Sequence, residues 1–497
     1  MLATGSCIRP ARRMCHYHLD SSVASRQSPE NSMEKTFNVI NFGCRATQAD
    51  GAAIEQALQD FHLRKSAAWQ RSDVVVINTC TVTNTADVEA RQMIRRVHRE
   101  NPGAKIVVTG CYAQRAPEEI ARIEGVTCVV GNSHKEQLAP IVATNYLEDS
   151  PFPILGNERT VVEGADVFCS SIFESRQLRV IADASGGGRT RPVLKVQDGC
   201  SYRCSYCIIP WVRGDSRSLP SAEVIRQAGL LLDQGFREIT LTGIHLGGYG
   251  RDADKQETLA RLAQQLLREE RLERLRLSSI EPLEYTNELI DLVAESPKMA
   301  KHFHVPLQSG SDRILRLMRR PYLAEYYADL VNRMRRRVPD AAIGADVMVG
   351  FPTETDEDHA NTVQLLNAAP MTYLHVFPYS HRPGTSSANL QPAIHGKVAR
   401  QRGKELRNLA NLKNLGFRRS FVGKELSVIT LAQCLNENTQ ALSTNYLKVE
   451  ISKDAVAANQ VLSAGITGLT AEGLRGDIRQ CKQIPGSTEA DVLVGAR

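Results

Sequence analysis

Apolar and polar positions along this chain fall into three successive rhythms. After Met33, three β-branched runs end in cysteine: FNVINFGC (Phe37–Cys44), DVVVINTC (Asp73–Cys80) and KIVVTGC (Lys105–Cys111). Segments of helical spacing follow them, GAAIEQALQDF, a stretch from about Ala86 to Arg99, and APEEIARIE. Strands alternating with helices predict a parallel α/β sheet. From Asp149 to Thr190 the periodicity weakens and ends in SGGGRT, which reads as a linker because no GK[ST] follows the glycines.

A second strand–helix series runs from about Pro192 to Pro392. Its strands are VLKVQ, EITLTG, RLRLSSI, HFHVPL, AAIGADVMVGF and YLHVFPYS, with helices such as SAEVIRQAGLLLDQG and TNELIDLVAES between them. About six β/α units in about 200 residues predict an incomplete barrel with its site at the carboxyl ends of the strands. From Phe421 to Gln483, KELSVITLA, YLKVEIS and AGITGLTAEGLRGDI alternate every second residue and predict a small antiparallel β-barrel. The expected organisation is therefore a disordered leader or early start (1–32), an N-terminal α/β domain (33–148), a linker (149–190), a partial (β/α)6 barrel (191–394), a basic helix (395–420), a β-barrel (421–485) and a tail (486–497).

Composition narrows the class. Hydrophobic residues make up 42% of the 497 and charged residues 23%, as in ordinary globular domains. No apolar run reaches the roughly 18 residues of a membrane span, and a cytoplasmic protein is expected. The net charge of +6 is mild for this length. Its distribution is uneven: His395–Ser420 holds eight basic residues against Glu405 alone, and RQMIRRVHR and MRRR form two further clusters. Each reads either as a solvated helix face or as a phosphate-contacting surface. The segment Phe421–Lys482 balances its charges and does not advertise RNA binding.

The chain has twelve cysteines and no convincing signal peptide, so clustered cysteines point to metal or catalysis rather than disulfides. Cys200, Cys204 and Cys207 stand at C-x3-C-x2-C spacing in GCSYRCSYCIIP, directly after the first strand of the second series. A closed zinc site takes four ligands, and no histidine lies between Cys207 and Trp211. Iron–sulfur clusters are otherwise usually held by four cysteines. Three thiolates on a [4Fe–4S] cube leave one iron open to the amino and carboxylate groups of a small molecule. Cys44, Cys80 and Cys111 each follow a strand of the first sheet, where parallel-sheet loops converge. They are either three buried structural thiols or a second ligand set. Cys7, Cys15, Cys128, Cys169, Cys434 and Cys481 lack partners at ligand spacing.

CSYRCSYC resembles the signature of the radical S-adenosylmethionine (SAM) superfamily. With NFGC, NTCTVTNTAD, TGCYAQ, EITLTGIHLGGYG, RLSSIEP, PLQSGSDRIL, GADVMVGFPTETDEDH and HVFPYSHRPGT in order, the chain resembles the methylthiotransferases over roughly Phe37–Thr385, and its last domain resembles their TRAM module. The resemblance implies two [4Fe–4S] clusters. Cys200, Cys204 and Cys207 would bind the one that cleaves SAM to a 5′-deoxyadenosyl radical, and Cys44, Cys80 and Cys111 an auxiliary one that carries the sulfur. It further implies SAM contacts at Thr242 and Gly243, with Ser279, Gln308 and Asp346 facing the same mouth, and as partners tRNA, an electron donor and a sulfur source.

Three substrates fit the resemblance: N6-threonylcarbamoyladenosine beside the anticodon, N6-isopentenyladenosine there, or a ribosomal-protein aspartate. EITLTGIHLGGYG, KVQDGC and HVFPYS are most like the threonylcarbamoyladenosine branch, which adds a methylthio group at C2. That branch reads Gly-Cys-Lys-Val-Asn-Gln where this chain has GCRATQ, so Thr47 replaces an amide. GCRATQ also lacks the Pro and Lys of the ribosomal-protein branch. A non-catalytic alternative is an iron–sulfur redox sensor that binds RNA.

Overall fold

The computed structural model describes residues 34–146, 159–174, 190–252, 257–435, 438–451 and 456–481. The expected leader and tail, with Cys7 and Cys15, lie outside them. The β-branched runs of the first region do form strands, because side chains such as Val74–Ile77 are buried on both faces of a sheet covered by helices. Seven strands lie in the spatial order Arg64–Lys65, Thr36–Asn41, Val74–Thr79, Lys105–Gly110, Val126–Gly131, Ala165–Phe168 and Arg159–Val162. All neighbouring pairs are parallel except the last.

That last pair corrects the linker expected over 149–190. Residues 159–168 form a hairpin that completes the first sheet, with Val167 and Phe168 buried. The turn residues Glu163 and Gly164 both take positive φ. The flanking runs are only four residues each, too short for an alternation to stand out.

Six parallel strands in sequence order build the central domain. Val193–Asp198, Glu238–Gly243 and Arg274–Leu277 form one sheet, with a short antiparallel strand Arg217–Ser218 at its edge. His302–His304, Ala342–Val349 and Tyr373–Pro378 form the second. The two meet at a bridge between Leu275 and Met299. Helices on the outside bury one core against the strands, including Leu241, Leu275, Phe303, Ile343 and Val347. The result is a partial (β/α)6 barrel. Several of its helices begin on side-chain caps, Thr286 accepting from the Leu289 N–H and Thr355 forming a capping box with Asp358.

Helix Gly396–Arg419 then packs along Tyr373–Pro378 and leads into a closed five-stranded barrel (Glu425–Leu435, Asn438–Ser443, Lys448–Ile451, Leu474–Cys481, Val461–Leu469). One of its pairings, Lys448–Ile451 with Leu474–Cys481, is parallel, where alternation alone predicted an all-antiparallel barrel.

A buried carboxylate joins the two barrels. Glu238 receives Arg274 Nη1 at 3.2 Å and Arg276 Nε at 2.8 Å, and these arginines also donate to Ser427 Oγ and to the carbonyls of Leu442, Ser443 and Thr444. Burial pushes the Glu238 carboxyl up, but Arg276, Arg274 and Arg191 bring it down to about 2 from an ordinary 4.5. A depressed carboxylate contributes stability that is complete above its unfolded value and is lost as pH falls through its folded one. Glu238→Gln is therefore expected to destabilise the protein by about 3–5 kcal/mol at pH 7. The gap to the parent should shrink between pH 4.5 and about 2, as read from denaturation midpoints across pH.

Candidate active site

Two cysteine triplets sit at strand ends of adjoining domains. Cys44 precedes helix Arg45–Asp60, Cys80 follows strand Val74–Thr79, and Cys111 opens helix Cys111–Arg115. Gly43 takes φ +101° with its Cα against Cys80, where an added Cβ would stand 2.9 Å from the sulfur. Only glycine fits that close approach. Burial pushes the Cys80 thiol up to about 12, and the thiols of Cys111 and Cys44 add to the effect. Three sulfurs that oppose each other's ionisation become thiolates together when a metal centre compensates them.

The second triplet lies on the loop after Val193–Asp198. Burial again pushes Cys207 up to about 12, with Cys204 and Cys200 contributing. Arg320 Nη1 donates to Cys204 Sγ at 3.3 Å. His245, beside Cys200, pairs with the buried Glu284 at 2.6 Å. Both triplets thus present three thiols with cationic or polar groups aimed at sulfur, a donor set that fits iron–sulfur ligation.

A buried ionic network ties the triplets together. Asp50, on the helix that Cys44 opens, receives Lys135 at 2.8 Å and Arg213 at 2.9 Å, and pairs with Lys195. Lys195 and Arg213 also hold Asp198, at 2.9 and 3.0 Å, two residues before Cys200. Arg213 Nε then reaches Cys111 Sγ at 3.1 Å. Burial raises the Asp50 carboxyl, yet Lys135, Lys195 and Arg213 hold it well below the usual carboxylate range. Sequence reading missed this network, because its members are ordinary charges 145 and 163 residues apart.

Between the first sheet and the barrel mouth opens a cavity of about 330 Å³. Of the five residues expected at the mouth, Thr242, Gly243, Ser279 and Asp346 line it. Gln308 is not among the lining residues; it takes φ +67° and its N–H bonds to the Asp346 carbonyl. Gln197 connects this mouth to the second triplet, accepting from the His245 N–H at 2.7 Å and donating to the Gly199 carbonyl at 2.8 Å.

The cavity also holds residues that sequence reading did not single out: Arg45, His302, His304, Tyr373, His375 and Tyr446. Asp346 Oδ1 lies 3.4 Å from His304 Nε2 and 3.3 Å from His375 Nδ1. Burial raises the Asp346 carboxyl, but hydrogen bonds from the two histidines take it well below the ordinary range. His302 stacks on Tyr446 at 4.6 Å and meets the Tyr373 hydroxyl at 2.7 Å. The alternating histidines of HFH, followed by the histidine of YLH on a later strand, were the available signal.

Comparison with known proteins decides the class. Residues 194–366 match the Radical SAM superfamily and residues 36–131 the Uncharacterized protein family UPF0004. The Threonylcarbamoyladenosine tRNA methylthiotransferase MtaB of Bacillus subtilis (strain 168) is 38% identical over 82% of this chain and 88% of its own. That of Aquifex aeolicus (strain VF5) is 38% identical over 82% and 94%. This chain belongs to the radical SAM tRNA methylthiotransferases.

The tRNA-2-methylthio-N(6)-dimethylallyladenosine synthase of Thermobifida fusca (strain YX) is also similar to this methylthiotransferase, at 31% identity over 80% of this chain and 78% of its own. In fold, the enzyme is similar to the radical S-adenosylmethionine methyltransferase TsrM of Kitasatospora setae. The TM-score is 0.53 at 18% identity, over 72% of this chain and 75% of that one. Family membership makes the chain an enzyme that uses SAM and a [4Fe–4S] cluster on tRNA, and sets aside the non-catalytic sensor. No helix among the described residues is long and apolar enough to cross a membrane.

The network between the triplets predicts a coupled loss. Asp50→Asn removes the carboxylate shared by Lys135, Lys195 and Arg213, leaves Asp198 alone to hold the last two, and is expected to cost about 3–5 kcal/mol. A change below about 0.5 kcal/mol in the denaturation midpoint analysis would show that the network carries no such weight.

Proposed function

We propose that this enzyme adds a methylthio group to C2 of N6-threonylcarbamoyladenosine beside the anticodon of tRNA. The observation that carries the reading is the lining of the cavity, where Arg45, His304, His375, Asp346 and two tyrosine hydroxyl-bearing rings meet. Such a surface matches the carboxylate, hydroxyl and ureido groups of a threonylcarbamoyl arm. An isopentenyl arm would leave those polar groups desolvated and unpaired. The relatives named for threonylcarbamoyladenosine also reach 38% identity, against 31% for the dimethylallyladenosine synthase above.

In this reading Cys200, Cys204 and Cys207 hold the cluster at the SAM site, and Cys44, Cys80 and Cys111 hold a second [4Fe–4S] cluster. The bound cofactors supply reductive cleavage of SAM and delivery of a methylated sulfur. The chain's own residues bind and orient. Thr242, Gly243, Ser279 and Asp346 line the mouth where SAM would lie, Gln308 supports it through the Asp346 backbone, and Arg213 and Arg320 donate to ligand sulfurs. Tyr373 and Tyr446, backed by His302, offer rings for a nucleobase turned out of its stack. An electron donor and a sulfur source complete the reaction as external partners, and the cytoplasm is the expected setting.

The basic helix divides its charges. Arg402 is buried against Glu354 and Asp356, Arg418 donates to the carbonyls of Thr470, Ala471 and Gly473, and Lys413 caps Asn367 and Ala369. Lys397, Arg400, Lys404 and Arg407 remain exposed at three- and four-residue intervals, one stripe on a helix. This stripe is the proposed tRNA contact.

Three outcomes test the reading. Mass spectrometry of tRNA nucleosides from a strain lacking the gene should show loss of the methylthio-threonylcarbamoyl nucleoside; loss of the isopentenyl analogue would overturn the substrate. In anaerobically reconstituted protein, Cys111→Ala should still release 5′-deoxyadenosine but transfer no methylthio group, whereas Cys204→Ala should do neither. Reversing the charge of Arg400, Lys404 and Arg407 together should weaken tRNA binding and flatten its salt slope by roughly two to three; an unchanged slope would refute contact through this stripe.

A further inference from the structure

Arg45 is the one arginine of the cavity lining, and its surroundings differ from those of the buried arginines nearby. Arg213 and Arg320 each reach a thiol while paired with carboxylates, and Arg276 is held by Glu238. Among the described residues Arg45 forms no ion pair. Its side-chain hydrogen bond is from Nη2 to the Tyr446 hydroxyl at 2.9 Å, and its guanidinium stands 6.0 Å from the centre of that ring. Tyr446 takes φ +65°, a backbone geometry uncommon for a tyrosine, on the turn before strand Lys448–Ile451. A residue of the last domain thus orients a cation that the first domain supplies, and both face into a mouth built by the middle one.

The cavity contains one carboxylate, Asp346, and its Oδ1 is committed to His304 and His375. The buried His302 Nδ1 and Ser278 Oγ have no hydrogen-bond partner, and both residues line the same cavity as Arg45. A guanidinium without a counter-charge, in a lining whose residues also carry unsatisfied buried polar atoms, describes a site for a planar anion with hydrogen-bonding capacity.

We propose that Arg45, held in place by Tyr446, binds the carboxylate of the amino-acid arm on the modified adenosine and thereby sets the substrate class. The proposal rests on the threonylcarbamoyladenosine reading above. A carboxylate suits the planar guanidinium fork bidentately. Backbone phosphates are a poorer fit, because the residue lies in a mouth lined by rings and strand ends rather than on the exposed basic stripe. A neutral, apolar arm would leave Arg45 desolvated without a counter-charge, so the same residue that favours one substrate disfavours the other.

The test compares the reconstituted parent enzyme, Arg45→Gln and Arg45→Lys on anticodon stem-loops. One stem-loop carries threonylcarbamoyladenosine and the other its neutral threoninamide counterpart. The parent is expected to lose roughly 10- to 100-fold in kcat/KM on the amide, the range for a charge-assisted hydrogen bond. Arg45→Gln should lose a similar factor on the acid yet barely distinguish acid from amide, and Arg45→Lys should recover part of the discrimination. Iron content, the KM for SAM and 5′-deoxyadenosine release without RNA should stay at parental values. An acid-to-amide ratio unchanged by Arg45→Gln, or a loss that appears in the KM for SAM instead, would overturn the assignment. If the parent acts on an isopentenyladenosine stem-loop and not on the acid, the substrate reading itself falls.

Discussion

Five buried charges hold the two α/β halves of this enzyme in register. Asp50 and Lys135 come from the first sheet's domain and Lys195, Asp198 and Arg213 from the barrel, and all but the partly buried Lys135 are almost wholly removed from water. Such a network tolerates no missing partner, since each charge is affordable only beside its counter-charges. It therefore fixes the approach of the domains more tightly than an apolar contact of similar size, which can slide. The network ends on the Cys111 sulfur and runs through Asp198, next to the loop of the second triplet. Ion pairing thus connects the segments that carry the two candidate metal centres.

The same logic recurs at the other junctions. Glu238 and its arginines pin the last barrel to the middle domain, and Asp87 gathers Arg115 at 3.0 Å from its own domain and Arg382 at 2.6 Å from the loop after strand Tyr373–Pro378 of the middle domain. Each of these two junctions uses one buried carboxylate shared by more than one arginine. The cavity lies where the three domains converge, with Cys44 and Arg45 from one, Asp346 and Tyr373 from the next and Tyr446 from the last. This candidate site is a property of their assembly, because no single domain supplies its walls.

Much of this was legible in the sequence where chemistry follows local pattern. Cysteines at strand ends, C-x3-C-x2-C spacing and six apolar runs each report on their own neighbourhood, and the chain folds them as the pattern implies. What was not legible depends on distance. Arg45 and Tyr446 are 401 residues apart, and nothing near either predicts that they meet. Charge counting misjudged the basic helix in part, since Arg402, Lys413 and Arg418 serve internal carboxylates and carbonyls. The hairpin at 159–168 escaped notice because four-residue strands beside a Glu-Gly turn carry too few alternations to register.

The central claim is that two three-thiolate iron centres face one shared mouth at the meeting of the domains. Anomalous diffraction at the iron edge from anaerobically grown crystals measures this directly. The account predicts two compact iron peaks, one beside Cys44, Cys80 and Cys111 and one beside Cys200, Cys204 and Cys207, each without a fourth protein ligand and with the Arg45 cavity opening between them. A single peak, or a protein side chain completing the coordination of either centre, would contradict it.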